Sequence, residues 1–146
     1  MGVGNPLLGD DGVGNHVAKL VKQGLQNHPD ADVKEVSASG IELIEEITGY
    51  DAAIIVDAIA TKSQVGVIHK LSPEQLNETV HPIATPHAFN FASAYKLGKH
   101  LASKDMPTQV TIYAIEIEPS TDFSEKLSPN VERAAQQVAT EILETL

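Results

Sequence analysis

Cysteine is absent from this 146-residue chain, and basic residues are scarce: ten Lys and Arg stand against twenty Asp and Glu, for a formal net charge of −10. The first absence excludes disulfides, thiolate metal sites and a cysteine nucleophile. Any metal site must then be built from His, Asp and Glu. The second makes nucleic acid and anionic membranes poor partners, since an acidic surface repels phosphate. Solubility alone also accounts for such an excess. No apolar run reaches the roughly 20 residues needed to span a bilayer. No basic segment leading into an apolar stretch opens the chain, as it would in a signal peptide. A soluble cytoplasmic protein is the resulting expectation. Internal repeats, low-complexity tracts and linkers are missing as well, so the length suits one domain, residues 1–146, with a real hydrophobic core.

What is present is an alternation of helical and strand patterns. Val13, Val17, Leu20, Val21 and Leu25 recur at helical spacing and predict a first helix from near Gly12, ended by Asn27-His28-Pro29-Asp30. Residues 33–37 alternate like a short strand, and Ile41, Leu43, Ile44 and Ile47 predict a short second helix. Ala52-Ala53-Ile54-Ile55-Val56 is a continuous apolar run, as in a strand buried on both faces. Residues 64–71 predict a shorter strand nearer an edge. Ser72-Pro73-Glu74-Gln75 has the form of a capping box with proline at the first helical position, opening a turn or so of helix. Thr85-Pro86-His87 is another cap, for a helix through Lys99 and Leu101. Residues 109–115 form a strand rich in β-branched side chains. Ser128-Pro129 opens a final helix with Leu127, Val131, Ala135, Val138, Ile142 and Leu146 on its apolar side. Strands alternating with helices imply an α/β domain of three layers. Ligands in such sheets gather at the carboxyl ends of the strands.

Three features fall at such ends. The opening loop, Gly2-Val3-Gly4-Asn5-Pro6-Leu7-Leu8-Gly9-Asp10-Asp11-Gly12-Val13-Gly14, is rich in glycine and carries two adjacent carboxylates. Asp57 interrupts the apolar residues 52–60 where their strand should emerge. A charge there is costly unless it is paired, hydrogen-bonded or bound to a metal, although an aspartate capping the next turn gives the same pattern. His87 stands behind Pro86 in the first turn of a helix. A helix N-terminus disfavours imidazolium and keeps the ring neutral and able to bind a metal, although a surface histidine looks the same. His16, His28, His69, His81 and His100 lack such a context and read as surface or packing residues. Nucleotide binding fails on the residues. Gly2-Val3-Gly4 is followed by Leu7, and Gly12-Val13-Gly14 by Val17, where a dinucleotide fingerprint needs its third glycine. No Gly-Lys-Ser/Thr phosphate loop is present either, and two adjacent aspartates repel a pyrophosphate. The opening loop therefore points to a cation or to proton transfer.

The opening loop resembles the signature of the hydrogenase maturation endopeptidases. Val56-Asp57-Ala58 and Gly66-x-Ile68-His69-x-Leu71 resemble that family's second block, and Pro86-His87 falls where the family has its histidine. Ile115-Glu116-Ile117-Glu118-Pro119 is similar to its late strand block, and Leu127-Ser128-Pro129-x-Val131 to the start of its last helix. The resemblance spans nearly the whole chain. It implies a three-layer α/β/α sandwich, phosphorylase/hydrolase-like, around a mostly parallel twisted sheet. It also implies an aspartic-type endopeptidase that trims a C-terminal peptide from the large-subunit precursor of nickel–iron hydrogenase once nickel is inserted. Carried over by motif, the metal-binding and catalytic residues are Asp11, Asp57 and His87. Two carboxylates and one imidazole suit a borderline divalent ion such as nickel. A water on that ion, or the carbonyl it polarises, would be open to attack. The nickel is implied to arrive with the substrate, so no permanently bound cofactor is expected. Asn5, Asp10 and Gly12 are expected to shape the loop or orient a ligand. The expected partner is the precursor, met by a monomer or weak oligomer.

The chain also departs from the family pattern. Ala88-Phe89-Asn90-Phe91 replaces a common Leu-Gly-Leu, and Ala114 stands where glycine is frequent. Both bear on which hydrogenase is served. Family members usually carry an apolar strand before the first glycine, and here Met1 alone precedes it. A truncated central strand is therefore expected, with neighbouring backbone groups short of ladder partners. An apolar upstream extension is expected to stabilise the chain. Two other readings compete. Gly4-Asn5-Pro6, with His16 nearby, also resembles the opening of peptidyl-tRNA hydrolases, but those need a basic surface. A metal-binding maturation chaperone would use the same three ligands without cleavage.

Overall fold

A computed structural model describes residues 1–25, 28–37, 41–79, 86–101 and 104–146, the side chains of residues 41, 77–79, 86–90, 92 and 101 excepted. In chain order the elements are β1 (Gly2–Val3), a 3-10 turn (Gly9–Gly12), α1 (Val13–Gly24), β2 (Glu35–Val36), α2 (Ile41–Ile47) and β3 (Ala52–Ile59). There follow β4 (Ile68–Leu71), α3 (Pro73–Thr79), α4 (Pro86–Leu101), β5 (Gln109–Glu116) and α5 (Pro129–Thr145). The sheet runs β2-β1-β3-β5-β4. Its first four strands are parallel, and β4 closes one edge antiparallel to β5. The expected mostly parallel sheet is present, and the strand expected near an edge is at the edge.

Each face of the sheet has its own helical cover because successive strand residues point to opposite sides. On one face, Val17 and Val21 of α1 and Val131, Val138 and Ile142 of α5 pack on Val56, Ala58, Tyr113 and Ile115. On the other, Leu43, Ile44 and Ile47 of α2, Leu76 of α3 and Phe91 and Tyr95 of α4 pack on Ile55, Ile59, Ile112 and Ala114. A strand covered on both sides reads as an unbroken apolar run, which is why residues 52–56 and 112–115 carry no polar alternation. Each fully buried Val or Ile contributes roughly 1.5–3 kcal/mol. Local capping agrees with this packing. Ser72 Oγ accepts the Gln75 N–H at 3.3 Å and Gln75 Oε1 accepts the Ser72 N–H at 2.9 Å, closing the predicted capping box. The helix it opens is longer than expected, at seven residues.

One inner strand of the sheet is very short. β1 has two residues, yet it lies between β2 and β3, with Gly2 opposite both Glu35 and Val56. The Met1 α-amino group donates to the Ile54 carbonyl at 2.8 Å. Burial, with the Lys34 charge as a lesser cause, lowers that amine to about 6. Before this point β3 lacks a neighbour on that side, so Ala52 is exposed and Ala53 and Ile54 are only half-buried. A cavity of about 370 Å³ opens there, lined by Met1, Val17, Val21, Ile54, Ile142 and Leu146 among others.

Candidate functional site

The opening loop lies at the carboxyl end of β1 and folds back on itself. Gly4 has a φ of +143°, and a Cβ there would fall 2.0 Å from the Asp11 carbonyl oxygen. A Cβ on Gly12 would fall 2.7 Å from the Pro6 Cα. Side chains would hold the two halves of the loop apart at both places. The Asn5 N–H donates to Asp11 Oδ2 at 2.9 Å, and Asn5 Oδ1 accepts the Leu7 N–H at 3.0 Å. Asp10 does something different from its neighbour. Its two oxygens accept the Ser128 N–H at 2.6 Å and the Ser128 hydroxyl at 2.8 Å. Ser128 is the residue before α5, and its hydroxyl makes no capping bond of its own to that helix. Asp10 thus ties the loop to the start of α5. Two further bonds finish the attachment: Ser124 N–H to the Leu7 carbonyl at 2.9 Å and Gly9 N–H to the Ser124 carbonyl at 2.6 Å.

Asp57 sits within β3, opposite Ala114 of β5. The strand continues to Ile59, so Asp57 does not cap a turn at its end. Its side chain enters the face covered by α2, α3 and α4, beside Ile55, Leu76, Phe91, Ile112 and Ala114. Only 6% of the residue is exposed. Oδ1 accepts the Ala58 N–H at 2.8 Å. Burial pushes its pKa up to about 8, the Ala58 bond opposes the rise, and the nearby Asp11 charge adds to it. Among the described residues neither Asp11 nor Asp57 forms an ion pair with a basic side chain. A carboxyl buried like that of Asp57, with a second acidic charge nearby, is relieved by a proton or by a cation. The hard oxygen donors of Asp11 and Asp57 fit a divalent ion.

His87 occupies the second position of α4. Its side chain lies outside the described residues, as does all of His81. The helix itself is well situated. It leads into the amino end of β5, so its own start faces the carboxyl ends of the strands. Phe91, one turn after His87, lines the same small void as Asp57. Among the described residues no three metal-ligating side chains meet. The fold therefore brings Asp11 within electrostatic reach of Asp57 and lays Phe91 of α4 over the face that Asp57 enters.

One buried charge escaped the sequence reading. Glu116, at the end of β5, is fully buried. Its carboxylate accepts the Thr61 N–H at 2.6 Å, the Thr61 hydroxyl at 2.9 Å and the Ser63 N–H at 3.2 Å. His69, expected to be an ordinary surface or packing residue, is instead aimed at this group. Its Nε2 lies 3.4 Å from Glu116 Oε2, buried and without a hydrogen bond. Register puts Asp57, Glu116 and His69 on one face of the sheet. The signal was present: Glu116 breaks the apolar run around Ile115 and Ile117 as Asp57 breaks its own. His16, by contrast, is partly exposed beside Glu132 at 3.5 Å, in keeping with a surface role.

The fold is shared with known proteins of one kind. The family model described as hydrogenase maturation protease matches residues 15–145, and the chain belongs to that family. It is 24% identical over 149 residues to the hydrogenase 2 maturation protease of Escherichia coli strain K12, covering 99% of this chain and 90% of that protein. The structure of the hydrogenase maturating endopeptidase HybD from Escherichia coli aligns with a TM-score of 0.76 and 24% identity, covering 99% of this chain and 88% of that one. The NiFe hydrogenase maturation protease HybD from Thermococcus kodakarensis aligns with a TM-score of 0.71 and 23% identity, covering 99% and 94%. These likenesses bear out the three-layer fold with its mixed, mostly parallel sheet. No helix among the described residues is long and apolar enough to cross a membrane.

Proposed function

We propose that this chain is an endopeptidase that removes the C-terminal extension of the nickel–iron hydrogenase large-subunit precursor after nickel insertion. The observation that carries the reading is the Asp11–Asp57 pair. One carboxylate is buried in the sheet with its pKa raised to about 8, the other lies in the opening loop near enough for its charge to add to that rise, and neither forms an ion pair with a basic side chain among the described residues. Such a pair is poised to accept a divalent ion and gives up a proton as it does so. Nickel is part of the substrate here, and the protein needs no resident cofactor. Asp11 and Asp57, with His87 from α4, are the residues we assign to the ion and to catalysis. The ion supplies charge stabilisation and polarises the scissile amide. Asn5, Asp10 and Gly12 keep the loop closed so that Asp11 is held near Asp57. Processing of this kind belongs in the cytoplasm.

A maturation chaperone could use the same carboxylates without cutting. One experiment separates the readings. The purified protein is mixed with nickel-loaded and nickel-free precursor, and the precursor mass is followed. The loaded form alone is expected to shorten. Binding of the loaded form with no loss of mass would overturn the endopeptidase reading in favour of the chaperone.

A further inference from the structure

Among the described residues the sheet buries two carboxyl groups, those of Asp57 and Glu116, and the proposed chemistry uses only the first. Glu116 has a plain structural task. Thr61 and Ser63 give it three hydrogen bonds, which hold the segment that follows β3. His69 adds none to them. Its Nε2 lies 3.4 Å from Glu116 Oε2, buried and without a hydrogen bond. A buried ring nitrogen left in that state carries a cost and calls for a reason. Catalytic hydrogen bonds are often long or poorly aligned until substrate arrives.

Position supplies the reason. His69 of β4 and Asp57 of β3 are both paired with Ala114 of β5, one from each side. Residues paired in this way share a face of the sheet. Neighbouring strands lie roughly 4.8 Å apart, so about 10 Å separates the two backbone positions. Only the methyl group of Ala114 stands between them in that row. An ion on Asp57, with the peptide bond it polarises, extends across much of such a gap. Glu116 lies two residues further along β5, toward the carboxyl ends where ligands gather. The imidazole is also open to a bound molecule. Its side chain is 23% exposed although Nε2 is buried. Nε2 is thus the inward nitrogen, beside the carboxylate, and Nδ1 is left for chemistry.

We propose that His69 is a further catalytic residue of the cleavage, protonating the leaving amine, and that Glu116 is the positioning residue that turns its Nε2 inward. This rests on the endopeptidase reading. Water adds its oxygen to the amide carbon and releases one proton to solvent. The C–N bond breaks with its electron pair on nitrogen, and that nitrogen takes the Nδ1 proton of the His69 imidazolium. The products are a carboxylic acid and an amine. Solvent then returns a proton to Nδ1. A carboxylate at the other ring nitrogen holds the proton there and fixes the tautomer, so Nδ1 alone exchanges.

The test compares the unaltered protein with His69→Gln and Glu116→Gln on nickel-loaded precursor, following precursor mass. Gln at position 69 can still donate to Glu116 but cannot transfer a proton. Gln at position 116 keeps an acceptor oxygen for Thr61 and Ser63 but loses the charge. Expected for His69→Gln is a fall in kcat of about 100-fold or more, with KM and the unfolding midpoint unchanged. Glu116→Gln should lower kcat less. A precursor with an ester at the scissile position separates chemistry from structure, because an alkoxide leaves with less need of a proton. His69→Gln should cut the ester nearly as fast as the unaltered protein does. Equal losses on amide and ester would overturn the proposal. An unchanged kcat on the amide would overturn it too, and leave the endopeptidase reading standing. No cleavage by the unaltered protein would overturn both. Heteronuclear NMR of the unaltered protein depends on no variant folding. A proton on His69 Nε2 is expected, and a ring bare at Nε2 would overturn the proposal.

Discussion

Asp57 holds a carboxyl group where ionisation is expensive, and the direction of its pKa turns that into a measurable cost. Its folded-state pKa, about 8, lies above the unfolded value. Between those two values the native protein holds a proton that the unfolded chain has released. Stability therefore falls as pH rises through this window, and the cost is complete above about 8. Asn in its place keeps the shape and can still accept the Ala58 N–H. The expected outcome for Asp57→Asn is loss of precursor cleavage together with a raised unfolding midpoint, on the order of 5 °C at pH 8. The gain should shrink toward zero near pH 4. Thermal unfolding of both proteins across that range checks it, and midpoints that stay parallel with pH would show that burial does not tax this carboxyl. A residue that destabilises its own fold while serving chemistry is a common mark of a functional group.

Elements explain how Asp11 is brought near enough to influence Asp57. The opening loop is attached to α5, the last helix in the chain, through Asp10 and Ser128. Asp10→Ala removes a charged acceptor from a part-buried backbone N–H and a hydroxyl, which costs roughly 1–3 kcal/mol. The same change frees the loop, so precursor cleavage should fall more steeply than stability alone accounts for; an activity unchanged below the unfolding temperature would deny the clasp its positioning role. This bond joins residues 118 apart in sequence, and no local pattern reveals it. What the sequence did disclose was local. The helical spacing of Val13, Val17 and Val21, the capping box at Ser72 and Gln75 and the proline opening α5 each state their own structure. Asp57 was legible because it breaks an apolar run. Glu116 breaks one too, but its meaning depends on Thr61, Ser63 and His69 arriving from elsewhere in the sheet. Strand ends were less legible, as β4 begins at Ile68, four residues later than its composition suggests.

At the scale of the whole molecule, both helical layers meet on a sheet in which one inner strand, β1, is two residues long. The cost shows as three linked observations: the cavity of about 370 Å³, the half-covered start of β3 and the Met1 amine lowered to about 6. Three or four apolar residues fused before Met1 would continue β1 in its parallel register. They would fill the cavity, give Ala52 to Ile54 a neighbour and replace the buried amine with an amide. The amine adds a pH signature that plain burial lacks. Its folded pKa lies below the unfolded value of 8.0, so between about 6 and 8 the unfolded chain binds the extra proton. The native state is then penalised increasingly as pH falls through that window. The expected outcome is a higher unfolding midpoint for the extended protein, with a gain that grows from pH 8 to pH 6. Cleavage should be unaffected, because the cavity opens at the opposite end of the strands from Asp11 and Asp57. Equal midpoints in differential scanning calorimetry would mean that the sheet gains nothing from a longer β1. A gain that does not vary with pH would locate it in the filled cavity and the new ladder bonds, with no part for the amine.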